Sequence, residues 1–92
     1  MKADEEREGM KKRSKGGTPE LDLHGFSRDA ASEAILQFLS DMIIAGNKKV
    51  HIIHGRGTGQ ILNTTHQTLQ KTDVVRKYLL HERNPGVTVV YL

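Results

Sequence analysis

Residues 50–59, VHIIHGRGTG, join a short apolar run to a glycine-rich segment, and this junction decides the predicted fold. The run at 50–53 is rich in β-branched residues, which predicts an inner strand of a sheet. Three glycines alternate with Arg56 and Thr58 directly after it, a pattern that predicts a tight turn from a strand into a helix.

A second strand and a long helix are predicted upstream of this junction. Residues 20–25 (ELDLHG) alternate leucine with polar residues and end at a glycine, which predicts a short strand. Ser27 is a favourable N-cap, and Gly46 is suited to the position just after the end of a helix. Between them, apolar residues recur at the spacing of one helical face: Ala31, Ala34, Ile35, Phe38, Leu39 and Met42.

Downstream, a second helix and two further strands are predicted. Thr58 is expected to cap a helix running to about Leu69, with Ile61, Leu62, Thr65 and Leu69 buried. Residues 74–82 and 87–92 are predicted strands, and the Asn-Pro-Gly at 84–86 predicts the turn between them. The order is therefore βαβαββ, an α/β arrangement. Right-handed crossovers make the first three strands parallel, and the tight turn makes the last one antiparallel to the third.

Size and composition indicate one small domain. The chain has 92 residues, no cysteine and no apolar run near the ~18 residues that a membrane span requires, so a cytoplasmic monomer is expected. Residues 1–19 carry six basic and four acidic side chains, which predicts a flexible charged leader or linker before a domain at 20–92. The remaining eight basic and seven acidic residues leave the domain nearly neutral. Any basic footprint for an anionic partner must therefore be local.

Two histidines are predicted to meet at one edge of the sheet. His24 and His54 each follow a strand that leads into a helix, and parallel neighbouring strands end at the same edge, where open α/β sheets bind ligands. Asp22 is two residues before His24, so its side chain is expected on the same sheet face, where a carboxylate can orient an imidazole. Taken alone, a histidine at a strand end is more often a hydrogen-bonded structural residue than a catalyst.

The glycine-rich segment is predicted to bind phosphate. Gly55, Gly57 and Gly59 allow close backbone approach, and their amides, with Thr58 and the following helix N-terminus, suit an anion. Arg56 adds a permanent cation suited to bidentate phosphate contact. A purely structural turn is the alternative. The basic residues Lys11, Lys12 and Arg13 are either a solvated linker or a nonspecific phosphate grip. His51 is expected to be buried or interfacial, and His66 and His81 solvated.

Together these motifs resemble the Smr (small MutS-related) domain. The resemblance covers residues 20–92 and is carried by LDLHG, by the HGRGTG turn after VHII, and by the terminal TVVYL strand. It implies a compact two-layer α/β sandwich, with a four-stranded mixed sheet and two helices, similar to the carboxyl-terminal domain of bacterial translation initiation factor three. Asp22 and His54 fall on the family's functional positions, and His24 corresponds to the DLHG variant. Many members carry a GGxGxT segment before the last strand, whereas this chain has the shorter NPGVT at 84–88.

The resemblance also implies an activity. Many members are nicking endonucleases that hydrolyse phosphodiester bonds in DNA, and some cleave RNA. The domain also occurs at the carboxyl end of the recombination-suppressing MutS paralogue, a setting that the charged leader fits. The expected partners are branched or supercoiled DNA, or RNA and the ribosome, with a role in recombination or DNA repair. No membrane partner is expected.

The resulting hypothesis is phosphodiester hydrolysis with Asp22, His24 and His54 as catalytic residues. Arg56 and the loop amides hold the phosphate, and His54 acts as general base or general acid. His24 either grips phosphate or transfers protons. Asp22 either orients a histidine or helps to hold a divalent ion, magnesium or manganese. The rivals are a non-catalytic nucleic-acid-binding module, favoured by the short final loop, and a protein–protein adaptor in which the glycine turn is only structural.

Overall fold

The computed structural model describes residues 17–92, which form a four-stranded mixed sheet with two helices packed on one face. The elements in chain order are β1 (Glu20–Asp22), α1 (Arg28–Ile44), β2 (Lys49–Ile53), α2 (Gln60–Gln70), β3 (Lys77–Leu80) and β4 (Val87–Tyr91). The predicted order and the α/β class are confirmed. The predictions made for residues 1–16, including those for Lys11, Lys12 and Arg13, lie outside the described residues.

The strands lie in the order β1-β2-β4-β3, so the last strand of the chain occupies an inner position. β1 and β2 pair in parallel, and β4 is antiparallel to both of its neighbours, β2 and β3. β1, β2 and β3 therefore run in the same direction, as predicted. The insertion of β4 between β2 and β3 brings its residues beside the glycine-rich turn that follows β2.

The core lies between the sheet and the helices. Side chains on one face of the sheet, among them Leu21, Ile52 and Val90, are fully buried, and they meet the apolar stripe of α1 and Leu69 of α2. The stripe of α1 is the predicted one, with Met42 only partly buried at its end. Within residues 17–92, neither helix is long and apolar enough to cross a bilayer.

The ends of α1 are as predicted, and the start of α2 is one residue later. The Ser27 hydroxyl accepts a hydrogen bond from the Ala30 amide at 3.2 Å, and Gly46 adopts a φ of 85° just beyond the helix. α2 is capped by Gly59 rather than Thr58, because the chain enters the helix through a left-handed residue, with a φ of 92° at Gly59. That conformation strongly favours glycine.

β1 and β3 are shorter than predicted, and local turns are the cause. β1 ends at Asp22, whose carboxylate accepts a hydrogen bond from the His24 amide at 2.9 Å and starts a turn. β3 begins at Lys77 instead of residue 74, because the Val75 amide bonds back to the Thr72 carbonyl at 3.1 Å. Alternation of residue types alone does not reveal hydrogen bonds by which a backbone amide pairs within a local turn instead of in the sheet.

Thr65 provides a stability prediction, because its fully buried hydroxyl is the only buried side-chain polar atom within residues 17–92 that lacks a hydrogen-bond partner. A buried polar group without a partner costs roughly 1–3 kcal/mol. Thr65→Val keeps the side-chain shape and removes the hydroxyl, so it is expected to raise the free energy of unfolding by about 1 kcal/mol. Urea denaturation measures the change, and a destabilised variant would contradict it.

Candidate functional site

The two histidine motifs lie side by side at the edge where β1 and β2 end. The Leu23 amide donates to the Ile53 carbonyl at 2.9 Å, which extends the parallel pairing one residue beyond β1. Residues 22–25 and 54–59 therefore emerge together, and we call them the carboxyl edge. The expectation that β1 and β2 are parallel neighbours is confirmed.

The polar groups of the carboxyl edge do not all share one sheet face. Asp22 is in register with Ile53, whereas His54 follows with the alternation of Val50 and Ile52, which face the helices. His54 is buried, with 7% of its surface exposed, and Asp22 is on the opposite face, partly exposed. Asp22 and His54 are thus separated by the sheet.

His24 is exposed in the turn after β1. Its backbone amide, rather than its ring, is bonded to the Asp22 carboxylate. Within residues 17–92 the His24 ring has no hydrogen bond or ring contact, which leaves both of its nitrogens open to a ligand. The carboxylate therefore shapes the turn that presents this imidazole.

Both ring nitrogens of His54 are bound by the protein itself. Nδ1 is 3.0 Å from the Gly55 carbonyl oxygen, and Nε2 is 2.8 Å from the Thr88 hydroxyl. A carbonyl oxygen only accepts hydrogen bonds, so Nδ1 carries the proton. In the neutral ring Nε2 is then an acceptor, and the Thr88 hydroxyl donates to it.

Sequence analysis missed two residues that contact His54. Thr88, fully buried in β4, also lies 2.8 Å from Nε2 of His66, and the His54 and His66 rings meet edge to face at 6.1 Å. The ring of Tyr78 packs on His66 with centroids 5.0 Å apart. We call His66, Thr88 and His54 the hydroxyl bridge.

The prediction that His66 and His81 are solvated is wrong, since both are half-buried. His66 lies one helical turn before Leu69, on the margin of the buried stripe of α2. That spacing could have predicted its partial burial from the sequence. His81 packs edge to face on His51 at 5.5 Å, since the two are brought together by strand pairing. His51 itself is partly buried.

The glycine-rich segment 54–59, the glycine loop, is held against the Asn-Pro-Gly turn. The amides of His54 and Gly55 both donate to the Gly86 carbonyl at 3.0 Å. A Cβ added at Gly86 would lie 3.4 Å from the Gly55 carbonyl carbon and from Cγ of Arg56, so the two loops are in close contact. Gly55 has a φ of 81°, as its predicted role requires. Beyond this contact Arg56, Gly57 and Thr58 are exposed.

Burial and neighbouring charge lower the pKa of three histidines. Desolvation is the main cause for all of them and lowers the pKa of His54 below its usual 6.5, against a smaller opposing effect of the Gly55 carbonyl. Desolvation and then the nearby His54 lower the pKa of His66. Desolvation and then His81 lower the pKa of His51. The neutral rings, and hence the tautomers of the hydroxyl bridge, are therefore favoured in the folded state.

A pH dependence of stability follows. Below pH 6.5 these histidines bind protons more readily in the unfolded state than in the folded state. Their contribution to the free energy of unfolding is therefore fully present above that pH and is lost as the pH falls. The free energy of unfolding is expected to be lower at pH 5.5 than at pH 7.5, with a slope of at most about 1.4 kcal/mol per pH unit for each histidine. Urea titrations at both pH values test it. His66→Gln should flatten the slope, and an equal slope would argue against the assignment.

A cluster of positively charged side chains lies at the other end of the sheet. Lys48, Arg76 and Lys77 line a cleft of ≈ 550 Å³ with Tyr91 and Leu92. The Lys77 ammonium stands 5.2 Å from the centroid of the Tyr91 ring. The strand order creates this cluster, because β4 lies between β2 and β3. Lys48 is far from Arg76 and Lys77 in the sequence, so sequence analysis did not predict this cluster.

The donors at the carboxyl edge do not form a protein-built cation site. Within residues 17–92 no group of three or more His, Asp or Glu side chains is arranged to hold a metal ion. One oxygen of Asp22 is bonded to the His24 amide, and both nitrogens of His54 are bonded to protein atoms. The predicted magnesium or manganese ion would thus find a single carboxylate here.

Comparison with known proteins identifies similar domains. The sequence profile of the Smr domain matches residues 21–92. Endonuclease MutS2 of Halothermothrix orenii is 37% identical over 86 residues, which are 90% of this chain and 11% of that protein. Endonuclease MutS2 of Pelotomaculum thermopropionicum is 38% identical over 78 residues, covering 82% of this chain and 10% of that protein. This chain spans about a tenth of the length of these relatives.

Solved structures share the fold. The crystal structure of the Smr domain of Thermus thermophilus MutS2 superposes with a TM-score of 0.78 at 28% identity, over 79% of this chain and 95% of that one. YdaL, a stand-alone small MutS-related protein of Escherichia coli, superposes with a TM-score of 0.75 at 21% identity, over 84% and 68% of the two chains. The mixed sheet with two helices is therefore the architecture of these domains.

Proposed function

This chain belongs to the Smr domain family, and from that membership we propose that it is a nicking endonuclease domain that hydrolyses phosphodiester bonds in DNA or RNA. The observation that carries the proposal is the carboxyl edge. An imidazole with both nitrogens open, at His24, emerges beside a glycine loop whose arginine is exposed. The His24 imidazole is able to transfer a proton, and the donors of the glycine loop are able to hold a phosphate.

The glycine loop binds the phosphate in this proposal. The backbone amides of residues 57–59 are next to the N-terminus of α2, where the helix dipole favours an anion. The N-cap residue Gly59 has no side chain to cap that terminus, and the Thr58 hydroxyl accepts a hydrogen bond from the Gln60 amide at 3.4 Å. Arg56 supplies the charge and a planar fork of donors for the non-bridging oxygens. These donors stabilise the charge that builds up on the pentavalent phosphorus.

His24 transfers the proton in this proposal. Its ring accepts a proton from the attacking water as the water oxygen bonds to phosphorus, and the bond from phosphorus to the leaving oxygen breaks. The leaving oxygen takes its proton from solvent. Asp22 holds the His24 amide and so aims the ring. His54 holds the glycine loop, since its nitrogens are engaged within the protein. No step is assigned to a divalent ion.

The second candidate function is a nucleic-acid-binding module without hydrolysis. The engagement of both His54 nitrogens favours it, because one open imidazole then remains at the carboxyl edge. The chain at residues 1–92 is incubated with supercoiled plasmid, with and without magnesium or manganese, beside a gel-shift assay. Nicking supports the endonuclease. Binding without nicking under every condition supports the module, and absence of binding at low salt points to a protein–protein adaptor.

Arg56→Gln is expected to weaken nucleic-acid binding by about tenfold or more, because hydrogen bonds to charged groups contribute roughly 1.5–3 kcal/mol. The dependence of the affinity on salt should also weaken by about one phosphate contact. Gel shifts at several salt concentrations measure both. Lys71→Gln is the matched control, since Lys71 is exposed at the far end of α2. Equal losses in the two variants would indicate that only net charge matters.

The biological setting is proposed from the relatives. Branched or supercoiled DNA, in suppression of recombination or in DNA repair, is the proposed substrate, with structured RNA or the ribosome as the alternative. The MutS2 relatives are about ten times longer than the matched region. We therefore propose that the domain acts within a larger MutS-type protein. Plasmid, four-way junction and RNA substrates compared in one nicking assay rank these partners.

A further inference from the structure

The hydroxyl bridge connects α2 and β4 to the glycine loop through one line of hydrogen bonds. We propose that Thr88 and His66 are positioning residues: they hold His54 in its Nδ1–H tautomer, and through it they fix the Gly55 carbonyl and the start of the glycine loop. The effect on phosphate binding rests on the proposed function. The tautomer does not, because it follows from the bonding partners of the neutral His54 ring.

The direction of every hydrogen bond in the bridge is determined by its partners. Nδ1 of His54 donates to the Gly55 carbonyl, so Nε2 of the neutral ring must accept, and Thr88 must donate to it. A hydroxyl has one proton, so the Thr88 oxygen can only accept from Nε2 of His66. His66 is therefore the Nε2–H tautomer, and His54 is its opposite. The two histidines of one bridge are held in different protonation patterns.

Thr88 is better explained by this bridge than by core packing. It is fully buried in β4 among Val87, Val89 and Val90, where another valine would suit the strand and would need no partner. A hydroxyl in such a place is costly unless it is bonded. Thr65 is an internal contrast, since it is equally buried and its hydroxyl has no partner.

The bridge reaches the glycine loop at its first peptide groups. The Gly55 carbonyl is held by the His54 ring, and the Gly55 amide is held by the Gly86 carbonyl. Gly55 has a φ of 81°, a region that favours glycine, and glycine has more backbone freedom to lose than any other residue. Fixing both sides of Gly55 sets the direction in which Arg56 and the following amides leave the protein.

Three variants of the chain at residues 1–92 test the inference. Thr88→Val removes the hydroxyl and leaves Nε2 of both histidines without partners. Thr88→Ser keeps the hydroxyl, and Thr65→Val is the same replacement at a buried threonine outside the bridge. The measurements are the ¹⁵N shifts of the ring nitrogens, the amide shifts of residues 55–59, and the affinity for a DNA oligonucleotide in a gel shift.

The wild type is expected to give a protonated Nδ1 and a bare Nε2 at His54, and the reverse at His66. Thr88→Val should shift the Nε2 resonance of His54, which loses its hydrogen-bond donor, shift the loop amides and weaken DNA binding by about tenfold or more, at the ~1.4 kcal/mol that a tenfold change represents. Thr88→Ser should keep the ring nitrogen shifts, the loop amide shifts and the DNA affinity near their wild-type values, and Thr65→Val should alter none of them. A protonated Nε2 at His54 in the wild type would overturn the inference.

Two further outcomes separate this inference from the proposed function. If the wild type neither binds nor nicks nucleic acid, the proposed function fails, while the ring pattern and the loop amide shifts still decide the positioning role. If Thr88→Val does not fold, His66→Gln replaces it, because the glutamine amide can donate to Thr88 but the contact between the two imidazoles is lost. His66→Gln should keep the His54 tautomer. Loss of the Nδ1–H tautomer in this variant would contradict the hydrogen-bond directions assigned to the bridge.

Discussion

His54→Ala is expected to lose stability and nicking together. The change removes two hydrogen bonds, leaves the buried Thr88 hydroxyl without its acceptor and opens a cavity beside β4. We expect the free energy of unfolding to fall by roughly 3 kcal/mol, a large part of the ~5–15 kcal/mol that typical domains have. Nicking should fall by about 100-fold or more, because the glycine loop is no longer held. Urea denaturation and plasmid nicking measure the two effects.

His81→Ala is the control for this variant. It also removes a half-buried imidazole, but one that packs on His51 and lies outside the hydroxyl bridge. We expect a loss of about 1 kcal/mol or less and no change in nicking. A His54→Ala protein that nicks supercoiled plasmid at the wild-type rate would contradict both the loop-holding role and the site as a whole.

His24→Ala is expected to lose nicking without losing stability. Removal of a group that transfers protons reduces a rate by about 10²–10⁴-fold. The ring is exposed and has no hydrogen bond or ring contact within residues 17–92, so the free energy of unfolding should change by about 0.5 kcal/mol or less. DNA affinity should stay near the wild-type value, since Arg56 and the loop amides are unchanged. Initial nicking rates beside gel shifts separate the two properties.

The contrast between the two histidines is the sharpest test of the assignment. If His24→Ala nicks at the wild-type rate, His24 does not transfer the proton, whether or not His54→Ala also loses nicking. If both variants bind DNA and the wild type does not nick, the domain is a binding module. The same protein preparations serve all of these comparisons.

Much of the fold was predictable because its signals are local. Ser27 and Gly46 mark the ends of α1 through bonds and torsions within a few residues, and the stripe around Phe38 follows from helical periodicity. The directions of the first three strands follow from the handedness of crossovers. The boundaries that differed, at Asp22 and Val75, depend on turn bonds that residue type does not specify.

The candidate site was predictable in its residues more than in its arrangement. The neighbouring position of the LDLHG and HGRGTG segments follows from two parallel strands, and the structure has it. The face on which each side chain lies does not follow so simply, because it depends on the register that pairs Asp22 with Ile53 and on the turn in which His24 lies. Asp22 and His54 consequently lie on opposite faces of the sheet.

By itself, the sequence determined the elements of this protein, their directions, its family and the two segments that meet at one sheet edge. These depend on periodicity, caps and glycine positions within short windows. Only the tertiary structure decided that β4 lies between β2 and β3 and that Thr88 joins His54 to His66, residues 34 and 22 positions away from it. Strand register and the burial of imidazoles are set by packing across the whole sheet, and short-range patterns contain no information about such distant pairs.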